Sequence, residues 1–253
     1  YDIAKPDATN SSSSQVQGSG RLDSGLAGYW PLDNGSGTSA TDLSTNGNTG
    51  TLTNGPTWTT GQIGGAVQFD GTNDSIVLSS STALDLDSAH TISAWVKTTA
   101  VNTNQIIFAS GTLGCCGVET ALGLTYNSGG GTYRFRLTHT SVGRAESSAE
   151  VQTNTWYHVV GTWDGNSAQR IYINGALSNV HEIPALSGSE YSNNVAIGAD
   201  ADGNSPWAGI IDEVRVYHRA LSADEVGDLY RVTSPTSVDT SLKGYWSFNG
   251  KDL

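Results

Sequence analysis

The sequence predicts an all-β fold, an antiparallel two-sheet jelly-roll sandwich with one short C-terminal helix. Three observations carry this. Many short apolar runs alternate with period two and are bounded by turn signals. Glycine is abundant, 31 of 253 residues, while charged residues make up only 14%, which suits short strands and tight turns rather than helices. One helix-start signal stands near the end, the capping box Ser222-Ala223-Asp224-Glu225.

The elements follow in order. A first strand leads through Gly28-Tyr29-Trp30 and ends at Asp33. Ala66-Val67-Gln68-Phe69 and Ser75-Ile76-Val77-Leu78 flank a turn in which Asp70 and Asp74 are turn formers. Residues 91–97 and 133–138 alternate cleanly, and a strand over 122–126 precedes the hairpin at 127–132. Strands at 156–163 and 170–173 come next, the latter ended by Asn174-Gly175, a strong hairpin signal. Residues 210–217 form the last strand, and 222–230 the helix.

Composition excludes several classes. Glycine has no period of three, so the chain is not collagen-like. The 7 Trp and 10 Tyr sit in alternating runs, unlike a disordered chain. No apolar run is long enough for a membrane-spanning helix. Twelve Lys+Arg against 24 Asp+Glu, net −12, argues against a nucleic-acid partner.

The organisation is modular. Residues 1–24, with Ser11-Ser12-Ser13-Ser14, read as a flexible linker, 25–231 as the domain, and 232–240 as a second linker. Residues 241–253 read as the first strand of a second, truncated copy. There Leu242-Lys243-Gly244-Tyr245-Trp246-Ser247-Phe248-Asn249-Gly250 echoes Leu26-Ala27-Gly28-Tyr29-Trp30-Pro31-Leu32-Asp33-Asn34. A repeat at that spacing is a whole domain. The chain starts at Tyr1 and has no Met, so the expectation is a processed piece of a tandem array.

Several ordered motifs resemble the laminin-G-like group of the concanavalin A-like lectin/glucanase superfamily. They are Gly28-Tyr29-Trp30-Pro31-Leu32-Asp33, Asn46-Gly47-Asn48 with Gly50, Gly64-Gly65-Ala66-Val67-Gln68-Phe69-Asp70-Gly71, Trp156-Tyr157-His158-Val159-Val160, Tyr172-Ile173-Asn174-Gly175 and Ile211-Asp212-Glu213-Val214. The resemblance covers the body. It implies a curved jelly roll, an extracellular, secreted or cell-surface location, a structural calcium ion, and a binding or adhesive role more often than an enzymatic one. It also places Trp30, Trp95, Trp156, Trp163 and Trp207 on packing positions, whereas Trp58 reads as a loop residue.

Calcium prefers six to eight oxygen ligands. The resemblance sets Asp33 beside Asp212 on neighbouring strands, where two carboxylates repel unless a cation lies between them. The expected ligands are Asp33, Asn48, the Gly50 carbonyl and Asp212. The alternative is solvated strand ends and a turn-forming Asn48.

The two cysteines, Cys115 and Cys116, are adjacent and glycine-flanked. A bond between them would close a strained eight-membered ring, since neighbouring Cα atoms are about 3.8 Å apart. Such a plate supports one face of a sugar ring, with Glu119 accepting from hydroxyls and Tyr126 nearby. A loop staple or a reduced pair is the alternative.

Catalysis is not expected. A retaining glycosidase needs two carboxyls about 5–5.5 Å apart, whereas Glu146 and Glu150 on one strand would be about 13 Å apart. No Gly-x-Ser-x-Gly or HExxH motif occurs, and the five His read as structural. The expected function is a non-catalytic extracellular module for calcium-dependent carbohydrate recognition. The alternatives are a building block of a surface fibre, pilus or adhesin, and an accessory domain of a larger secreted glycoside hydrolase.

If Cys115 and Cys116 are bonded, alkylation without reductant leaves the intact mass unchanged. Two added alkyl groups would eliminate the vicinal disulfide.

Overall fold

The computed structural model describes residues 22–78, 82–86, 88–111, 120–127, 131–139, 143–182, 195–200 and 202–234. Cys115, Cys116, Glu119 and the 241–253 copy lie outside these.

The strands are β1 (Leu26–Trp30), β2 (Ser39–Ala40), β3 (Gly50–Thr53), β4 (Thr57–Thr60), β5 (Gly65–Asp70), β6 (Ser75–Leu78), β7 (His90–Thr98) and β8 (Gln105–Ser110). They continue with β9 (Thr120–Asn127), β10 (Thr132–His139), β11 (Gly143–Glu146), β12 (Tyr157–Trp163), β13 (Ala168–Ile173), β14 (Ala176–Glu182), β15 (Val195–Ile197) and β16 (Ala208–Tyr217). One helix, α1 (Ala223–Thr233), follows. The strands form two antiparallel sheets. The first runs β14-β13-β12-β7-β16-β5-β4, with β1 also paired to β16, and the second runs β11-β10-β9-β8-β15-β6-β3-β2. The expected two-sheet sandwich with one C-terminal helix is what the chain forms.

Alternation explains the layers. Ile92, Ala94 and Val96 of β7 meet Leu122 and Leu124 of β9 and Phe135 and Leu137 of β10 in one core. Trp30, Phe69, Phe108 and Phe135 anchor it, each at most 1% exposed. A fully buried side chain of this size contributes about 1.5–3 kcal/mol. The Asn174-Gly175 signal produces the β13–β14 hairpin, with both residues at positive φ, 52° and 78°, as the tight turn requires. Asp70 and Asp74 shape their turn: Asp70 N donates to Asp74 Oδ2 at 2.9 Å, and Thr72 N to Asp70 Oδ1 at 2.7 Å.

The odd-numbered face of β7 packs outward under α1. Val226 and Leu229 of the helix bury against Val160, Tyr172 and Tyr217. Tyr230 lies over Trp95 at 5.6 Å between ring centroids, and Trp95 Nε1 donates to Thr233 Oγ1 at 2.9 Å. The helix starts at the expected box, with Glu225 N donating to Ser222 Oγ and Ser222 N to Glu225 Oε2.

The structure differs from expectation in places. The first strand ends at Trp30 rather than Asp33, because Leu32 takes φ 60° and turns the chain out of the ladder. Trp58 is not in a loop but in β4, its Nε1 donating to Gly37 O at 2.8 Å. Trp156 is only half-buried, with the Lys97 ammonium 5.1 Å from its ring centroid. Trp95 is buried, but beneath the helix rather than between the sheets.

Replacing Ser222 with Ala removes one half of the capping box. The expected loss is about 1 kcal/mol, a Tm drop of roughly 2–4 °C by calorimetry.

Candidate functional site

Strand β16 has two successive partners along one edge. Residues Ala208 to Ile211 pair with β5, and Val214 to Tyr217 pair with β1. On the other edge, the register with β7 shifts between Asp212 and Arg215. Glu213 sits in this break with φ 55°, a left-handed conformation that is costly for a residue with a Cβ. Two carboxylates therefore emerge side by side at the switch.

Asp212 is fully buried. Its Oδ2 accepts from Gln62 N at 2.8 Å and Ile63 N at 3.0 Å, so it holds the turn before β5. The same turn takes Asp33, whose Oδ1 accepts from Gly65 N. The fit requires glycine at both positions flanking the tip. A Cβ at Gly61 would lie 2.5 Å from Asp212 Oδ2, and one at Gly64 would lie 2.4 Å from Asp33 Oδ1. Burial pushes the Asp212 carboxyl up to about 7. The Ile63 and Gln62 amides oppose that rise, and the negative charges of Glu213 and Asp33 add to it. Asp212 Oδ1 is buried with no hydrogen-bond partner among the described residues.

Glu213 turns to the opposite side. It accepts from Tyr29 Oη at 3.0 Å and pairs with Arg215 at 2.7 Å. The Arg215 guanidinium lies 3.9 Å from the Tyr29 ring centroid. Burial of the phenol raises the Tyr29 pKa. His158 packs beside Trp95 and Tyr230. Desolvation, with Arg215 adding, depresses it to about 3, and its Nε2 meets Ser93 Oγ at 3.0 Å. It is a neutral, structural imidazole, as expected.

Asn48 and Gly50 belong to a neighbouring cluster organised by Asp42. Asp42 Oδ1 accepts from Tyr29 N and Ser44 N, and Oδ2 from Ser44 Oγ and Asn48 N, all at 2.7–2.9 Å. Asn48 donates Nδ2 to Ala27 O and accepts Trp30 Nε1 at 2.9 Å. Gly50 opens β3, registered with Ala40 and Leu78. Strand β1 is thus the link between the expected ligands: Asn48 holds its Trp30, and Asp33 follows three residues later. The structure brings Asp33 and Asp212 onto one turn, and Asn48 and Gly50 onto the adjoining loop and strand. Among the described residues no three His, Cys, Asp or Glu side chains cluster as a metal cage. The pair that this turn brings together, Asp33 and Asp212, offers hard carboxylate oxygens, the donor type of a calcium site. The unpartnered Asp212 oxygen fits it.

Two further polar features stand apart from this turn, and the first escaped sequence reading. His90, Trp163 and Gln169 are cross-strand neighbours on β7, β12 and β13. His90 Nε2, Trp163 Nε1 and both Gln169 amide atoms are buried without partners among the described residues. Burial lowers His90 to about 4, so it is neutral there. The other feature lies at Tyr126. Its ring is 50% exposed and pairs with Tyr133 at 5.3 Å, while its N donates to Asn104 Oδ1 at 3.0 Å. Tyr126 stands at the far end of β9 from Thr120, the residue that follows Glu119 in the sequence.

Two packed antiparallel sheets with a helix on one outer face, and carboxylates where β16 changes partner, define a lectin-like jelly roll. Residues 70–227 match the laminin-G family of the concanavalin A-like lectin/glucanases superfamily, and the chain belongs to it. Domain 4 of AbnA, a GH43 extracellular arabinanase from Geobacillus stearothermophilus solved with arabinotriose, is similar at 23% identity and TM-score 0.60. That likeness covers 81% of this chain and 98% of the domain. The binding domain of Paraclostridial Mosquitocidal Protein 1 is similar at 18% identity and TM-score 0.66, over 83% of this chain and 53% of that one. Trypanosoma rangeli sialidase, solved with sialic acid, is similar at 16% identity and TM-score 0.62 over 84% of this chain. The match spans 34% of the sialidase. At these identities the likeness concerns the fold. No curated protein matches the chain.

Asp42 fixes four donors around β1, so Asp42→Ala leaves several of them unsatisfied. The expected loss is on the order of 3 kcal/mol, seen as a Tm drop of roughly 6–12 °C. An unchanged melt would show that water replaces the carboxylate.

Proposed function

We propose that this domain is a secreted, non-catalytic module that binds carbohydrate, with calcium holding the β1–β16 rim. The observation that carries the reading is membership of residues 70–227 in a lectin/glucanase superfamily. The similarity to an extracellular arabinanase domain solved with arabinotriose supports it. For calcium, the support is the unpartnered Asp212 oxygen on the turn it shares with Asp33. Asp33 and Asp212 would supply the charge, and Asn48 and the Gly50 carbonyl neutral oxygens. A bound calcium there would neutralise the two carboxylates and fix the turn. The non-catalytic reading rests on how the carboxylates are used. Glu213 is tied to Tyr29 and Arg215, and Glu146 to Arg144 at 3.5 Å.

A second reading, a building block of a surface fibre or adhesin, draws on the echo of residues 26–34 in 242–250. Repeated domains of that kind need no small ligand.

A glycan array run with calcium and again with chelator separates these. The expected result is binding to one sugar class with calcium, lost in chelator. Chelation should also lower Tm by several degrees, because a ligand at 100 times its Kd contributes about 2.7 kcal/mol. Absence of binding in both conditions would reject carbohydrate recognition and favour the fibre reading. A melt insensitive to chelator would reject the calcium site.

A further inference from the structure

The outer face of the second sheet carries a cation that makes no ion pair among the described residues. On β10, Phe135 and Leu137 point into the core, so Arg134, Arg136 and Thr138 point out. Seven arginines are described. Arg144, Arg170, Arg215, Arg219 and Arg231 each pair with a carboxylate, and Arg134 Nη1 donates to Ser147 O at 3.0 Å. Among the described residues, Arg136 has neither a hydrogen bond nor an ion pair. Glu146, registered opposite it, attracts it but forms its ion pair with Arg144. The side chain is half-buried, and desolvation, with the Arg144 charge adding and the Glu146 charge opposing, lowers its pKa. Guanidinium stays protonated in proteins, so Arg136 keeps its charge on this face.

Beside Arg136 is a cavity of about 40 Å³, with Asn104, Gly123, Thr138 and Ser205 among its walls. One water needs roughly 10–15 Å³ by this measure, so the space admits a carboxylate-sized group. Its floor is built to stay bare. Gly123 is registered opposite Arg136 on one side and Ile106 on the other. A Cβ there would lie 2.3 Å from Gln105 O, so no side chain can fill the place. The bulge after Ile106 lets Ile106 N reach Ser205 O at 2.9 Å, which draws Ser205 to the rim at φ 51°. Asn104 Oδ1 accepts from Thr125 Oγ1 and Tyr126 N. That orientation leaves its Nδ2 without an acceptor among the described residues. The wall therefore offers one cation, an amide donor and two hydroxyls.

We propose that Arg136 forms a subsite for the carboxylate of an acidic sugar, a uronic or sialic acid residue, on the outer face of the second sheet. The proposal rests on the carbohydrate reading above and names its ligand class. A planar guanidinium matches a carboxylate through two parallel hydrogen bonds. Asn104, Thr138 and Ser205 are suited to the neighbouring hydroxyls. The subsite also explains why a chain of net charge −12 keeps a cation unpaired here. It would otherwise repel acidic glycans, and this face reverses that locally.

The test is calorimetric titration of the full chain with matched pairs: trigalacturonate against its methyl ester, and sialyllactose against lactose. The acidic member of one pair should bind about ten-fold tighter, and which pair shows it distinguishes uronic from sialic acid. Arg136→Gln should abolish the preference at unchanged Tm, and Arg136→Lys should keep part of it. Thr138→Leu, which fills the cavity without altering charge, should abolish it too, so the outcome does not hang on one variant. Acidic and neutral sugars binding equally, with Arg136→Gln indifferent, would overturn the subsite while leaving carbohydrate binding intact. No sugar binding under any condition would overturn both.

Discussion

The fold depends on one strand changing partner midway. Along one edge β16 lies first against β5 and then against β1. A ladder cannot change neighbours without a gap, and the gap falls at Asp212 and Glu213. The strained φ of Glu213 is maintained because its side chain bonds Tyr29 and Arg215. Asp212 meanwhile caps the amides of the turn that feeds β5. The chain that enters through β1 and the chain that leaves through β16 are thus fastened at one point. The carboxylates of the rim are there because the topology needs something to satisfy freed amides.

Much of this was legible in the sequence. Period-two alternation located β7 and β10, and apolar runs bounded by turn signals located β5, β6, β12 and β16. Asn174-Gly175 and the Ser222 box are local chemistry, and both behave as such. The adjacency of Asp33 and Asp212 came from the family pattern rather than from spacing. What was missed has physical reasons. Residues 105–110 are buried on both faces, so they show no alternation. Trp58 follows Pro56 and sits in a four-residue edge strand, too short for a periodic signal. Arg136 was visible only as a polar position in an alternating strand. Whether such a position has a partner is set by β9 and β11, which sequence order does not reveal.

The buried polar groups divide by how they are satisfied. Asp42 has four donors, and Asp164 has its own turn of backbone amides, which hold its carboxyl down to about 2 against the pull of desolvation. These are closed systems that rigidify loops. Asp212 and Arg136 are open ones: each keeps capacity that the described residues do not use, and the two have opposite charge. They also lie on different sheets, Asp212 on the first and Arg136 on the second. A cation held at one and an oxyanion at the other therefore need not meet. The rim carboxylates sit where two strands share an edge, so a cation bound there would act on stability first. Arg136 sits on a sheet face whose backbone is already paired on both sides. Occupancy there adds a ligand without changing the fold, the arrangement expected when a rigid sandwich presents a site rather than closing around it.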